Sequence, residues 1–217
     1  MKLKCAMFGC LLFALSIGNA VCQNPYEEVE YSEYDIILKT NPSSPSIVDF
    51  VSAYLENPED ELSGMLSDAW GRYLKNQPAE KGGTMLVDKR NGYVSYTLNY
   101  DVAYPEDTPT GEVSLVEMCY WNCDDGIHKL FAFNSVTTRN GEPLMGQYDG
   151  LVFYIYNKET HRMSFVHDIV ESYESDYNYI IYTLPRQGKN IEAKIYTEKG
   201  VINKQLVWNG YRFHFAK

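Results

Sequence analysis

Cysteine, histidine, basic charge and long apolar runs are all scarce in this chain, and each scarcity closes off a class of function. Three of the five cysteines, Cys5, Cys10 and Cys22, fall in the first 22 residues, so only Cys119 and Cys123 serve the body. About 195 residues follow, enough for a core that forms without a disulfide framework. The four histidines stand apart at positions 128, 161, 167 and 214, with no second Cys or His at the spacing zinc needs. No Gly-x-Ser-x-Gly elbow singles out a nucleophilic serine. Lysine and arginine number 19 against 29 acidic residues and form no basic run. Such a surface repels phosphate backbones and anionic headgroups, which excludes nucleic acid and disfavours direct membrane-surface binding. Beyond the N-terminal segment no apolar stretch is long enough for a transmembrane helix.

What is present starts with that segment. Lys2 and Lys4, an apolar stretch from Ala6 to Ile17 and small residues up to Cys22 have the form of a signal peptide over residues 1–22. Its removal leaves 17 of the 19 basic side chains against all 29 acids, a net charge of about −12. The expected location is periplasmic or extracellular. Cleavage after Cys22 releases a chain beginning with Gln23; a lipid on Cys22 instead makes an envelope protein on a tether. Val21 fits poorly before a lipidated cysteine, where Gly, Ala or Ser is expected, and this favours release.

Residues 23–45 are rich in Glu, Asp, Tyr, Pro and Ser and read as an acidic spacer, with a short strand at Asp35 to Lys39. Ser44 and Pro45 open a helix, because serine caps and proline at the first position loses no needed donor. Ile47, Phe50, Val51, Tyr54 and Leu55 give it an apolar face. A second helix follows Asn57 and Pro58, with Leu62, Met65, Leu66, Ala69, Trp70 and Tyr73 at three- and four-residue spacing, and ends near Asn76. From Thr84 the period becomes alternating, with turns at Asn91-Gly92, Asp125-Gly126, Asn157 to Thr160, Glu198 to Gly200 and Asn209-Gly210. The expected fold is α+β: two N-terminal amphipathic helices packed on a curved, mainly antiparallel meander of about ten strands. Residues 46–217 read as one domain, with a possible subdivision near 141–150.

The densest chemistry runs from Glu117 to His128. A turn at Asp125-Gly126 sets Cys123 opposite His128, with Cys119, Trp121, Leu130 and Ala132 on the same face. Zinc, an imidazole-activated thiolate or a Cys119–Cys123 redox pair could each use such a cluster. Zinc lacks further ligands, and an exposed thiolate oxidises readily outside the cell. Strand residues four apart lie about 13 Å from each other, against the roughly 7 Å limit for bridged α-carbons. The plain expectation is that Cys119 and Trp121 pack in the sheet while Cys123 and His128, with Asp124 and Asp125, cap an exposed turn.

His167-Asp168 is a pair that a triad could use, but it has no serine partner. Tyr154 and Lys158 have a dehydrogenase-like spacing on a segment that is not helical. Asp124, Asp125 and Asp149 sit where carboxylates support turns rather than bind calcium. Nineteen tyrosines suit strands in general, and they also suit platforms for sugar rings or protein partners. No catalytic residue, cofactor or metal ligand is assigned.

Asn91-Gly-Tyr-Val-Ser-Tyr96, Met118-Cys-Tyr-Trp-Asn122, Leu151 to Tyr156, Leu184-Pro-Arg-Gln-Gly-Lys189 and Leu206-Val-Trp-Asn-Gly210 together resemble a group of uncharacterised secreted and envelope proteins of Gram-negative anaerobes. The resemblance covers most of the chain from Ile47. It implies an exported α+β protein and no particular activity. The leading expectation is therefore a non-catalytic binding or interaction protein that presents aromatic residues to a glycan, peptide or protein partner. Its alternatives are a hydrolase built from carboxylates and His128 or His167, and a purely structural envelope module.

Overall fold

A computed structural model describes residues 25–26, 32–56, 61–144, 150–173, 176–177 and 179–217. The signal segment, Cys22 and Asp149 lie outside the described residues. Strands β1 (Ile36–Ile37), β2 (Gly83–Asp88), β3 (Tyr93–Asn99), β4 (Glu112–Asn122), β5 (His128–Arg139), β6 (Glu142–Leu144), β7 (Gly150–Asn157) and β8 (Arg162–Val166) form one sheet. Its order is β1-β8-β7-β5-β4-β3-β2, with β6 paired to the far end of β5. A second sheet holds β9 (Tyr179–Thr183), β10 (Ile191–Thr197), β11 (Gly200–Trp208) and β12 (Phe213–Phe215), in the order β12-β11-β10-β9. All strand pairs are antiparallel. The helices are α1 (Ile47–Tyr54), α2 (Glu61–Leu74) and the single turn α3 (Tyr100–Ala103).

The molecule is thus mostly β, and a single meander of about ten strands is not what forms. Among the described residues, twelve strands divide between two sheets that cover one another. The register explains how. On β4 and β5, Val116, Met118, Phe131 and Phe133 point to one face and pack with Phe50 of α1 and Leu66 and Trp70 of α2. Cys119, Trp121, Leu130 and Ala132 point to the other face and meet Ile191, Leu206, Trp208 and Phe213 of the second sheet. With both faces covered, a central strand reads as one buried run rather than an alternation. Every β5 residue from His128 to Val136 is buried.

Local chemistry moves several boundaries away from their expected places. Helix α1 is capped by Ser46 instead of Ser44, because Asp49 lies three residues on and its Oδ2 accepts both the Ser46 N–H (2.8 Å) and hydroxyl (2.7 Å). Strand β2 stops at Asp88, ahead of the expected Asn91-Gly92 turn, since the Asp88 carboxylate accepts the Asn91 N–H at 3.2 Å and turns the chain early. Asn99 ends β3 by accepting the Val102 N–H at 3.1 Å, which caps α3. Buried Lys129 lies with its amine 4.5 Å above the Tyr120 ring and donates to Pro45 O at 3.1 Å, fastening the lead-in to α1. Among the described residues no helix is long and apolar enough to cross a membrane.

Candidate functional site

Three places gather polar or exposed aromatic groups on this scaffold. The first is the β4–β5 turn. The Cys123 N–H donates to His128 O at 3.1 Å, so the two residues oppose one another as the turn requires. They do not cap an exposed turn, however, for Cys123 is 4 % and His128 6 % exposed. The second sheet and the chain's N-terminal part cover them. Asp124 N–H donates to Gly210 O at 3.3 Å. Gly210 has φ +103°, and a Cβ there would fall 2.2 Å from the Asp124 carboxylate, so only glycine permits this approach. Tyr26, in the stretch read as a spacer, is buried with its ring 5.8 Å from that of His128, and its hydroxyl donates to Tyr211 O.

The hydrogen bonds fix the state of His128. Asn157 Oδ1 accepts backbone N–H groups from Glu159 (2.7 Å) and Thr160 (3.3 Å), which turns its amide nitrogen toward His128 Nε2 at 3.1 Å. An amide nitrogen donates, so Nε2 must accept and the proton resides on Nδ1. Nδ1 in turn donates to Asp125 Oδ2 at 2.6 Å. Both ring nitrogens are engaged, leaving no free one to take a proton from Cys123. Burial pushes the Cys123 thiol up to about 12, aided by Asp125 and Asp124. Burial opposes ionisation of Asp125, yet the hydrogen bonds from His128 and Ile127 hold its carboxyl below the usual range. An activated nucleophile requires a lowered thiol pKa and a free base. Neither is present here.

Trp121 and Trp208, the two Trp-Asn pairs of the sequence, meet between the sheets with ring centroids 6.1 Å apart. Trp121 Nε1 donates to Lys189 O at 2.9 Å. Cys119 and Cys123 are both free and buried. Among the described residues no group of three His, Cys, Asp or Glu side chains could hold a metal ion.

The second place was missed by sequence reasoning. Glu117, 3 % exposed, accepts from Tyr93 OH (2.7 Å), Asn134 Nδ2 (3.2 Å) and Leu184 N–H (3.0 Å). Burial raises the Tyr93 hydroxyl pKa, and Glu117 adds to it; burial and then Glu117 act alike on the Cys119 thiol. Alternation suggested that one face of β4 would meet water, so nothing in the sequence marked this glutamate as buried.

The third place is a cleft of about 220 Å³ where β8 parts from β7. After Val166 the chain leaves the large sheet for the small one. Asp168 makes the bend with φ +57°, and Ile169 O then accepts the Phe213 N–H at 2.8 Å. Leu151, Phe153, Val166 and Tyr182 wall the cleft, while Phe165, His167 and Asp168 stand at its margin. Phe165 is 47 % exposed, held edge-on between Tyr154 (5.6 Å) and His167 (4.6 Å, 89°). Burial raises Tyr182 to about 12, with neighbouring Tyr177 contributing. Tyr177 in turn is half exposed and meets Tyr173 at 6.2 Å. Among the other tyrosines, Tyr93, Tyr96 and Tyr156 are core residues. Their hydroxyls bond Glu117, Glu80 and Pro42 O.

No family model matches the chain, and neither the curated proteins nor the solved structures contain a significant match.

Proposed function

We propose that this chain is an exported binding or interaction protein without catalytic activity, and that the cleft beside Phe165 is where it takes its partner. One observation carries the reading. A phenylalanine ring nearly half exposed is held in a fixed orientation by two aromatic neighbours on the strand that borders an apolar cleft, on the sheet face opposite the cleft walls. Solvent-exposed rings that are oriented rather than loose are suited to recognition. The cleft lies below the roughly 300–1,000 Å³ range of small-molecule pockets, so it accommodates one ring or one side chain of a larger partner.

The hydrolase reading has weaker support, since His128 is locked and His167 and Asp168 stand at the cleft margin without a serine or second carboxylate. Export rests on residues 1–22, and the resemblance to secreted and envelope proteins of Gram-negative anaerobes agrees with it. Intact-mass analysis of the exported form separates a chain beginning at Gln23 from one acylated at Cys22. The binding reading is tested by a glycan array and by pull-down from envelope extracts, using the native chain and Phe165→Ala. Enrichment lost in the variant supports it. Recovery no better than that of an unrelated acidic protein overturns it.

A further inference from the structure

We infer that the partner is an extended peptide carrying a lysine or arginine, added as a strand to the open edge of β8 with its cationic side chain in the cleft. The inference rests on the binding reading above and names the partner for that site. Strand β1 covers only the start of β8, pairing Ile36 with Met163 and Ile37 with Arg162. It then leaves, because Ser32 to Asp35 closes a turn: Asp35 N–H donates to Ser32 O at 3.3 Å and Ser32 N–H to Asp35 Oδ2 at 3.1 Å. Among the described residues, Ser164 to Val166 therefore pair with β7 on one side only.

The register fixes which backbone groups that edge offers. Leu38 N–H donates to His161 O at 2.9 Å and Ile36 pairs with Met163, so the amides and carbonyls of Met163 and Phe165 point to the β1 side, while the His161 N–H turns to Asn157 O. Among the described residues none bonds the outward N–H or C=O of Phe165. A peptide residue placed opposite Phe165 gains both of these hydrogen bonds. Its neighbour opposite Val166 then projects to the face that carries Val166 and Tyr182, into the cleft.

The chemistry of the cleft selects that side chain. Its walls are apolar, and it has no lysine or arginine of its own. Asp168 stands at the margin, and the chain as a whole carries a net charge of −10. A lysine or arginine stem packs along the apolar wall while its head meets the Asp168 carboxylate. An acidic side chain meets like charge.

The test uses the exported chain and a blocked pentapeptide, Ac-Thr-Val-Lys-Val-Thr-NH2, followed by amide NMR shifts and titration. Expected are shifts at Phe165 and Val166 and saturable binding, weakened at least about tenfold by glutamate in place of lysine. A backbone N-methyl group on the residue paired with Phe165 should abolish binding. Asp168→Asn, which tolerates the same left-handed backbone, should weaken the lysine peptide about tenfold and leave its glutamate counterpart unimproved by more than threefold. Phe165→Pro removes an outward amide without touching the β7 ladder and should also abolish binding. Equal binding of lysine and glutamate peptides, or binding unaffected by N-methylation, overturns the inference. Binding of glycans at Phe165 with no peptide binding also overturns it while leaving the binding reading intact, and absence of any ligand at the cleft defeats both.

Discussion

Glu117 and Asn134 face each other in register on β4 and β5 and together hold the end of β9. Asn134 Nδ2 donates to Tyr182 O at 2.9 Å, while Glu117 Oε2 accepts the Leu184 N–H at 3.0 Å. One acceptor and one donor two residues apart on a strand are what a neighbouring parallel strand would satisfy. Here two buried side chains do it, so the small sheet is fastened to the large one through the backbone of its own edge strand. The edge is also blocked against pairing with another chain.

Removing this clasp should therefore cost more than an ordinary surface change. Glu117→Ala leaves the Tyr93 hydroxyl, the Asn134 amide and the Leu184 N–H without their acceptor. At about 1–3 kcal/mol for each stranded group, with partial rescue by water, a loss of about 3 kcal/mol is expected in urea unfolding. Glu117→Gln keeps the shape but sets an amide donor against another donor, and should cost about 1–2 kcal/mol. A change below about 0.5 kcal/mol in both variants would show that the clasp does not hold the sheets together.

How much of this was legible follows from what each signal depends on. The opposition of Cys123 and His128 could be read from Asp125-Gly126, because a turn dipeptide sets a register and register is local. The face shared by Trp121 and Leu130 follows from the same register. The burial of Cys123, His128 and Glu117 could not be read, because it depends on a second sheet that begins some fifty residues later and folds back over β4 and β5. Trp121 and Trp208 each precede an asparagine in the sequence, yet nothing local says that they touch. Phe165 looked like any strand residue. Its exposure arises from the early departure of β1, set by Ser32 and Asp35, and from the bend at Asp168.

The proton on His128 is a direct consequence of the Asn157 orientation. Nitrogen NMR of the imidazole at pH 7 should show a protonated Nδ1 and an unprotonated Nε2, the less common of the two neutral forms. Asn157→Ala removes the donor and should let the ring sample both forms. A resting proton on Nε2 in the native chain would contradict the network and reopen the thiol–imidazole reading.

The two thiols should be inert in the folded chain. Cys123 has its pKa raised from 9.0 to about 12, and Cys119 lies well above its ordinary value, both through burial first. Folding thus favours the neutral thiols, a contribution fully present below pH 9 and lost as pH rises from there toward 12. A chain beginning at Gln23 should show no rapidly reacting thiol toward a disulfide reagent at pH 8 and two after denaturation. It should also lose stability between pH 9 and 12. One fast thiol in the native state would mean that the β4–β5 turn is more open than Tyr26 and Gly210 make it.

Acid should act on a different tie. Asp88 is drawn from 3.8 down to about 2 by hydrogen bonds from Asn91 and Arg186, and Arg186 Nε lies 2.9 Å from its Oδ2. Arg186 belongs to the loop after β9, so this exposed pair is a second link between the two sheets. A lowered folded pKa stabilises the protein above the unfolded value near 3.8, and the contribution disappears as pH falls from there through about 2. Asp88→Asn should flatten the pH dependence of thermal unfolding in that window while changing the neutral-pH midpoint little, because exposed ion pairs contribute little. If instead Asp88→Asn leaves the acid limb unchanged, the loss of stability below pH 4 belongs to Asp101 or Asp125, whose carboxyls are also held low, and Asp101→Asn or Asp125→Asn should then remove it.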